Sequence, residues 1–480
     1  MNCKTILFCL TALVGIFHQQ ILNAQDKDIT IKVHLRGVWD SKISLLPLSG
    51  PNALKPIAES PSVKSGETAT VTVAKDQLPG EFVLRFDYKD KETSTPYPSE
   101  KHIFAYTQDL ELFINPPFCN NADSAWYQKG ERENTVFAKF SKENFKQKEK
   151  LGLLQNFLMS YDDNHSAFYR MGIDEYEKRR THYNHWLTAQ TKEHKTAFVS
   201  NTFQFQYVPQ TEWKDSVADR MQSLIAHYFD GMNFKDPLLL KTSDITEWMN
   251  KYVNIYGALS TTKDLRDSLF PLAATKAIDK AKAGGNPFVY GWMVDYFYNG
   301  FESNSIPAGI KALQPYLDDP NCYTNKKQQI EKRLTGIKSL LIGSQAPDFT
   351  IKDNAGKETQ FVSYPTDCRY KLVLFWSASC DHCKELVKKL YPWYQQLTDK
   401  KLVEVIALSM DDSEPDIKLW EKVHPLLEGW KHSRPKGGIN SKEANAYFVL
   451  STPVMVLVDT QTNNIVSLPE TVEQLASAIK

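Results

Sequence analysis

The feature of the sequence that constrains the fold most is an apolar run that ends just before two cysteines with two residues between them. The run is Lys371-Leu-Val-Leu-Phe-Trp376, and the cysteines are Cys380 and Cys383. We predict a buried strand for the run and a helix after the cysteine pair. A strand, a short loop with Cys-x-x-C and a helix form a redox motif rather than a random cysteine spacing.

The predicted position of the two cysteines assigns them different roles. Cys380 lies at the helix N-terminus, where unpaired N–H groups and the helix dipole favour a thiolate, so we predict that it is the nucleophile. It attacks a substrate disulfide and forms a mixed disulfide. Cys383, one turn later and more buried, is predicted to resolve that mixed disulfide and release the reduced substrate.

The two residues between the cysteines are predicted to tune the redox potential. A protonated His382 stabilises the Cys380 thiolate and makes the disulfide more oxidising, whereas the charge of Asp381 has the opposite effect. The signs conflict, so we expect an intermediate potential and leave the direction of electron flow open.

Two other interpretations of the cysteine pair compete with the redox motif. Zinc also uses Cys-x-x-C, but a structural zinc site needs two more Cys or His ligands, and the sequence has no second Cys-x-x-C. A purely structural disulfide does not need the strand–loop–helix context. His182 and His185 share a predicted helical face but lack a clear carboxylate partner. We therefore predict no metal and no cofactor.

The region after Gly343 alternates between β and α patterns. Besides the first strand, apolar runs at 402–408, 454–458 and 465–468 predict further strands, and 416–423 and 471–478 predict helices. Such alternation is typical of a layered sheet with helices on its faces.

Three further motifs accompany the cysteines. They are the entry segment Gly343-Ser-Gln-Ala-Pro-Asp-Phe349, the pair Phe375-Trp376 and the tripeptide Ser451-Thr452-Pro453 before a strand. With them, residues 343–480 resemble the TlpA/ResA-type branch of the thioredoxin family. The resemblance implies an α/β thioredoxin-like fold and a cis Thr452–Pro453 bond that lies against the cysteines. It also implies substrate binding by Trp376, Thr452 and Pro453, with the Thr452 backbone pairing with an extended client chain.

The sequence departs from the family pattern at several positions. Leu374 stands where thioredoxin carries a buried aspartate, and Ser379 stands where a second Trp is common. The proton acceptor for Cys383 therefore stays open, with Glu385 as a candidate. Peroxidase chemistry needs a proline at the position of Val373, so we predict that this chain is not a peroxidase.

Two regions precede the thioredoxin-like one. Residues 26–117 alternate apolar and polar residues between turn signals, which predicts an antiparallel β-sandwich. Residues 120–341 carry apolar residues at helical spacing, which predicts an all-α domain. These regions resemble, weakly, the accessory domains that precede such thioredoxin domains in Bacteroidetes-type exported proteins. We thus predict a multidomain chain with the thioredoxin-like domain at 343–480.

The first 24 residues predict export. Lys4 precedes a short apolar run, and Ala24 marks a cut before Gln25, which is typical of a signal peptide. No other segment is long and apolar enough to span a membrane. The 57 basic and 57 acidic residues leave no excess for nucleic-acid binding. The expected location is therefore the periplasm.

Two functions of different classes follow from these observations. The favoured one is a periplasmic thiol–disulfide oxidoreductase that reduces or exchanges disulfides in exported client proteins. We expect a membrane donor to supply its electrons and the reaction to serve cell redox homeostasis. The alternative is a binding or scaffold protein of the cell envelope, in which the thioredoxin-like domain is accessory.

Overall fold

The computed structural model describes residues 27–479, apart from 215, 305 and 353–356. The predicted signal peptide, residues 1–24, lies outside the described residues. The chain divides into two compact units, one up to Met293 and the other from Val294. The predicted boundaries between β, helical and thioredoxin-like regions stay predictions.

The first unit begins with two four-stranded sheets that face each other. Their strands alternate buried and exposed residues, as β4 (Thr68–Val73) shows, so each sheet has one apolar face to bury. The inner faces share one core. The remaining strands are β1 (Ile29–Leu35), β2 (Asp40–Pro47), β3 (Ala58–Lys64), β5 (Gly80–Lys89), β6 (Tyr97–Ala105), β7 (Leu110–Ile114) and β8 (Ala125–Tyr127).

The strand orders are β4-β1-β7-β8 in one sheet and β3-β2-β5-β6 in the other. Neighbouring strands pair antiparallel, except that β1 and β7 pair in parallel. The sandwich was expected from the alternation, but this parallel pair was not, because alternation has the same period in both strand directions.

Helices follow the sandwich in the first unit. Several begin at hydroxyl caps that accept a backbone N–H, for example Ser166, Ser216 and Thr262. The helices are α1 (Glu133–Ser160), α2 (Ala167–Glu193), α3 (Val217–His227), α4 (Asp244–Leu259) and α5 (Lys263–Gly284). A sixth, α6 (Pro287–Ser303), crosses the division between the units.

The second unit opens with three helices before its sheet. They are α7 (Pro307–Ala312), α8 (Gln314–Leu317) and α9 (Lys327–Ser339). Helix α9 packs on the segment that leads to the Thr-Pro motif. Lys332 Nζ donates to Asn445 Oδ1 at 2.6 Å, and Gly336 lies so close to Phe448 that a Cβ there would come within 2.5 Å of it.

A five-stranded mixed sheet forms the centre of the second unit, in the order β13-β12-β11-β14-β15. Strand β11 is parallel to β12 and antiparallel to β14. A two-stranded ribbon of β9 (Thr350–Lys352) and β10 (Glu358–Gln360) precedes it. The five strands are β11 (Tyr370–Trp376), β12 (Val403–Ser409), β13 (Lys431–Ser433), β14 (Val454–Asp459) and β15 (Ile465–Ser467).

Both faces of this sheet are covered, which explains why β11 is apolar without alternation. One face packs against α10 (Asp381–Gln396) and α13 (Val472–Ala478), and α11 (Glu414–Val423) adds partly buried side chains there. The other face packs against the entry segment and α12 (Lys442–Ala446). The predicted fold class, with N-terminal sheets, a central helical region and a C-terminal thioredoxin-like fold, is confirmed.

Among the described residues, no helix has both the length and the hydropathy that crossing a membrane requires.

Candidate redox site

The redox loop lies where two parallel strands end together. Strand β11 ends at Trp376, which pairs in register with Ser409, the last residue of β12. The carboxyl ends of parallel strands meet at one edge of a sheet, and that edge is where ligands and reactive groups collect in open α/β folds. Residues 377–380 leave this edge and enter α10.

Cys380 is the N-cap of α10, as the sequence predicted. Its Sγ accepts a hydrogen bond from the Cys383 N–H at 3.4 Å. Both residues are thiols in this structure. Cys380 is half-buried, whereas Cys383 is fully buried in the core between the sheet and α10.

The two sulfurs therefore differ in acidity. Burial opposes ionisation of Cys380, but hydrogen bonds from the Cys383 thiol and backbone, the Thr452 side chain and the His382 backbone outweigh it, so its pKa lies below the ordinary value. Burial raises the pKa of Cys383, and its position next to Cys380 raises it further. This asymmetry suits an attacking thiolate paired with a protected second thiol.

The Thr452–Pro453 bond is cis and lies beside the cysteines. Cys380 Sγ donates to the Thr452 carbonyl oxygen at 3.6 Å. The Thr452 side chain also lowers the pKa of both thiols.

The two residues between the cysteines are exposed on the first turn of α10. Asp381 forms an exposed ion pair with Lys384 at 2.8 Å, which lowers the pKa of its carboxyl group. His382 contributes to the acidity of Cys380 through its backbone N–H. The tuning effect of both side chains stays a prediction, and solvent screening weakens it.

Two predicted assignments fit the structure poorly. Trp376, expected to bind substrate, is 1% exposed and packs in the core against α10, so it has no surface to offer a client. Glu385, the candidate proton acceptor, is exposed and pairs with Lys388 at 2.6 Å, whereas the Cys383 thiol is buried.

Sequence reasoning missed a buried carboxylate at this edge. Asp411 follows the end of β12 and accepts hydrogen bonds from the Ser377 hydroxyl, the Ala378 N–H and the Ser409 hydroxyl. A signal was available, because Asp411 follows a predicted strand that neighbours the strand of the redox loop. Acidic residues just beyond such strand ends lie at the same edge.

The described residues contain no group of three or more His, Cys, Asp or Glu side chains placed to hold a metal ion.

The C-terminal region matches a known family. Residues 342–457 match the model of the AhpC/TSA family. No curated protein matches the chain. The family match and the fold together confirm the predicted resemblance of the C-terminal domain to the thioredoxin family.

Solved structures from Bacteroides also resemble the chain. A thioredoxin-like protein from Bacteroides caccae shares 19% identity over 57% of this chain and 95% of that one, with a TM-score of 0.37. The thioredoxin domain of a thiol-disulfide oxidoreductase from Bacteroides vulgatus shares 25% identity over 29% and 96%, with a TM-score of 0.25. A thiol:disulfide interchange protein from Bacteroides sp. shares 26% over 29% and 89%, also with a TM-score of 0.25.

Proposed function

We propose that the protein is an exported, periplasmic thiol–disulfide oxidoreductase that reduces or exchanges disulfides in exported client proteins. One observation carries the proposal. A half-buried Cys380 thiol of lowered pKa caps a helix, with a fully buried Cys383 one turn behind it and the Thr452 carbonyl in contact with the Cys380 sulfur. A site with one accessible and one protected thiol supports two successive exchange steps.

In the first step, the Cys380 thiolate attacks one sulfur of a client disulfide. A bond forms between Cys380 and that sulfur, and the other client sulfur leaves as a thiolate and takes a proton from solvent. In the second step, Cys383 loses its proton and attacks Cys380 Sγ, which releases the second client thiolate. The client gains two electrons and the cysteine pair becomes a disulfide.

The Thr452–Pro453 loop is the proposed binding site for the backbone of the client. Thr452 O already accepts a hydrogen bond from the Cys380 thiol, so this carbonyl faces the space where a client sulfur must arrive. An extended client chain pairs with such a backbone in β fashion.

Insulin reduction by dithiothreitol tests the chemistry. The wild-type chain should accelerate it, and Cys380→Ser should abolish the acceleration because the attacking thiolate is gone. Cys368→Ser is the matched control, since Cys368 is another partly exposed cysteine of the same unit, and should behave like wild type. A wild-type chain that does not accelerate insulin reduction would contradict the proposal and favour the envelope scaffold.

Client capture tests the partners. Cys383→Ser should accumulate mixed disulfides with exported proteins, because Cys380 still attacks but nothing resolves the adduct. The double variant Cys380→Ser/Cys383→Ser is the control and should capture none. A membrane dithiol donor is proposed to return the pair to the reduced form.

Export rests on the sequence pattern alone. N-terminal sequencing of the protein from cells should find a start at or near Gln25. An unprocessed chain in the cytoplasm would contradict the proposed location.

A further inference from the structure

The buried carboxylate of Asp411 has no part in the two exchange steps described above. Asp411 is 2% exposed. Its carboxylate accepts hydrogen bonds from the Ser377 hydroxyl at 2.5 Å, the Ala378 N–H at 2.9 Å and the Ser409 hydroxyl at 2.7 Å. A buried carboxylate is costly unless donors surround it, and bonds to a charged acceptor are stronger than neutral ones. These hydrogen bonds therefore fix the position of the Asp411 carboxylate and the positions of the three groups that donate to it.

Two of these donors belong to the loop between β11 and Cys380. The Ser377 hydroxyl has one proton, which it gives to Asp411, so its oxygen accepts from the Ser379 N–H at 3.2 Å. The Ser377 carbonyl accepts the Cys380 N–H at 3.4 Å. The orientation of Ser377 therefore affects the positions of Ser379 and of the nucleophile, Cys380.

Ser377 also faces the second cysteine. Its N–H donates to Cys383 Sγ at 3.4 Å and partly offsets the rise that burial causes in the pKa of that thiol. Asp411 binds both the Ser377 side chain and the next N–H of the backbone, that of Ala378, so the Ser377 backbone has little freedom to rotate. The direction of the Ser377 N–H depends on both of these bonds.

We propose that Asp411 is a positioning residue for the second exchange step: by holding Ser377 and Ala378, it aims the Ser377 N–H at Cys383 Sγ and so speeds the attack of Cys383 on the mixed disulfide. This inference rests on the proposed function. An effect of the carboxylate charge alone would have the opposite sign, because a nearby negative charge disfavours a thiolate. Removing the charge would then speed the attack, whereas losing the positioning slows it.

The test follows the two steps separately with a chromogenic disulfide. One equivalent of dithiobisnitrobenzoate is mixed with the reduced full chain in which every cysteine except Cys380 and Cys383 is replaced by alanine. Attack by Cys380 releases one thionitrobenzoate ion in a step that depends on concentration. Attack by Cys383 on the adduct closes the Cys380–Cys383 disulfide and releases a second ion in a unimolecular step.

Asp411→Asn should slow the unimolecular step about tenfold, as expected when a reacting pair is misplaced by a fraction of an ångström. Asp412→Asn is the matched control, since it makes the same change at the neighbouring, exposed aspartate, whose carboxylate accepts the Gly437 N–H at 3.3 Å. It should leave the step unchanged. An unimolecular step in Asp411→Asn that is as fast as wild type, or faster, overturns the inference.

A second pair of variants tests the inference even if Asp411→Asn does not fold. Ser377→Ala keeps the carboxylate and removes one of its two bonds to the loop, so it should slow the unimolecular step by a smaller factor. Ser377→Thr keeps a hydroxyl and should restore the rate; a Ser377→Ala variant as fast as wild type overturns the inference. If the parent chain that keeps only Cys380 and Cys383 releases only one thionitrobenzoate ion, the proposed function itself is contradicted. Two ions released at equal rates by this parent chain and by its Asp411→Asn variant contradict the positioning role alone.

Discussion

At the scale of single residues, the site is organised by the unequal environments of two sulfurs one helical turn apart. The N-cap position gives Cys380 access to solvent and to N–H donors. The next turn carries Cys383 into the core, where burial raises its pKa. The same helix therefore supplies a reactive thiol and a protected one.

Alkylation of the reduced chain should follow this asymmetry. Iodoacetamide near neutral pH should modify Cys380 at least about tenfold faster than Cys383, because the thiolate is the reacting species. The Cys380 rate should fall as the pH drops through its lowered pKa. Peptide mass spectrometry measures both rates, and the unfolded chain, where the two should react alike, is the control. Equal rates in the folded chain would contradict the assignment.

Thr452 should set the redox potential through its side chain. Thr452→Val keeps the branched shape and removes the hydroxyl, so the pKa of both thiols should rise and the reduced form should lose stabilisation. The potential should become more negative by about 10–30 mV in a glutathione titration. The adjacent, exposed Ser451 provides a control, Ser451→Ala, which should not shift it.

His382→Ala should act in the same direction as Thr452→Val but less. The substitution removes an imidazole that stabilises the Cys380 thiolate when it is protonated, so the Cys380 pKa should rise and the pair should become more reducing. The side chain is exposed and the backbone N–H stays, so the shift should be smaller than that of Thr452→Val. The same titration measures it, and a more positive potential would contradict the prediction.

At the scale of elements, α9 supports the segment that leads to the Thr-Pro loop. Gly336 allows the helix to approach Phe448, whose backbone has a φ of 50°. Both the close approach and the left-handed backbone lie within a few residues of Thr452. The helix is therefore part of the scaffold of the redox site.

Gly336→Ala should destabilise the second unit by about 1–3 kcal/mol, because the added methyl group overlaps Phe448. Gly300→Ala, in α6, is the matched control. Nothing lies within 4 Å of a Cβ at Gly300, so alanine should instead stabilise the helix by about 0.5–1 kcal/mol. Urea denaturation measures both. A Gly336→Ala chain as stable as wild type would show that α9 shifts at no cost.

At the scale of the whole molecule, the sandwich and the helices of the first unit share polar and apolar contacts. Phe104 of β6 lies in the helical core, and its backbone N–H and C=O both bond to the Asn134 side chain. Glu81 of β5 accepts the N–H and the hydroxyl of Ser243, just before α4. Regions that differ in pattern along the sequence thus form one compact unit.

Asp244 should make the stability of this unit depend on pH. Burial, with help from Glu81 and Glu247, raises the pKa of Asp244 to about 7. The folded chain therefore holds a proton that the unfolded chain has already lost, so this contribution to stability is complete below about pH 4 and is lost as the pH rises through about 7.

Asp244→Asn should accordingly raise the free energy of unfolding relative to wild type by about 1 kcal/mol or more at pH 8, and by less at pH 5. Asp264→Asn, at an exposed position in the first turn of α5, is the control. Thermal denaturation of the full chain at both pH values measures the difference. A gain that does not depend on pH would contradict the buried-carboxyl explanation.

The sequence alone determined the parts of this protein that local pattern encodes. Alternation predicted the sandwich strands, and an apolar run with Cys-x-x-C predicted the strand, loop and helix of the redox site. These features depend on residues within a few positions of one another, which periodicity and motif spacing describe directly.

Only the tertiary structure decided which distant residues complete the site. Asp411 meets Ser377 across 34 positions in sequence, and α9 meets Phe448 across more than a hundred. Trp376 matched a family motif, yet its side chain points into the core. The direction of the β1–β7 pairing was equally open. Strand and helix periods determine which face of an element is buried, but the partner of that face is chosen by packing between elements, which no local pattern records.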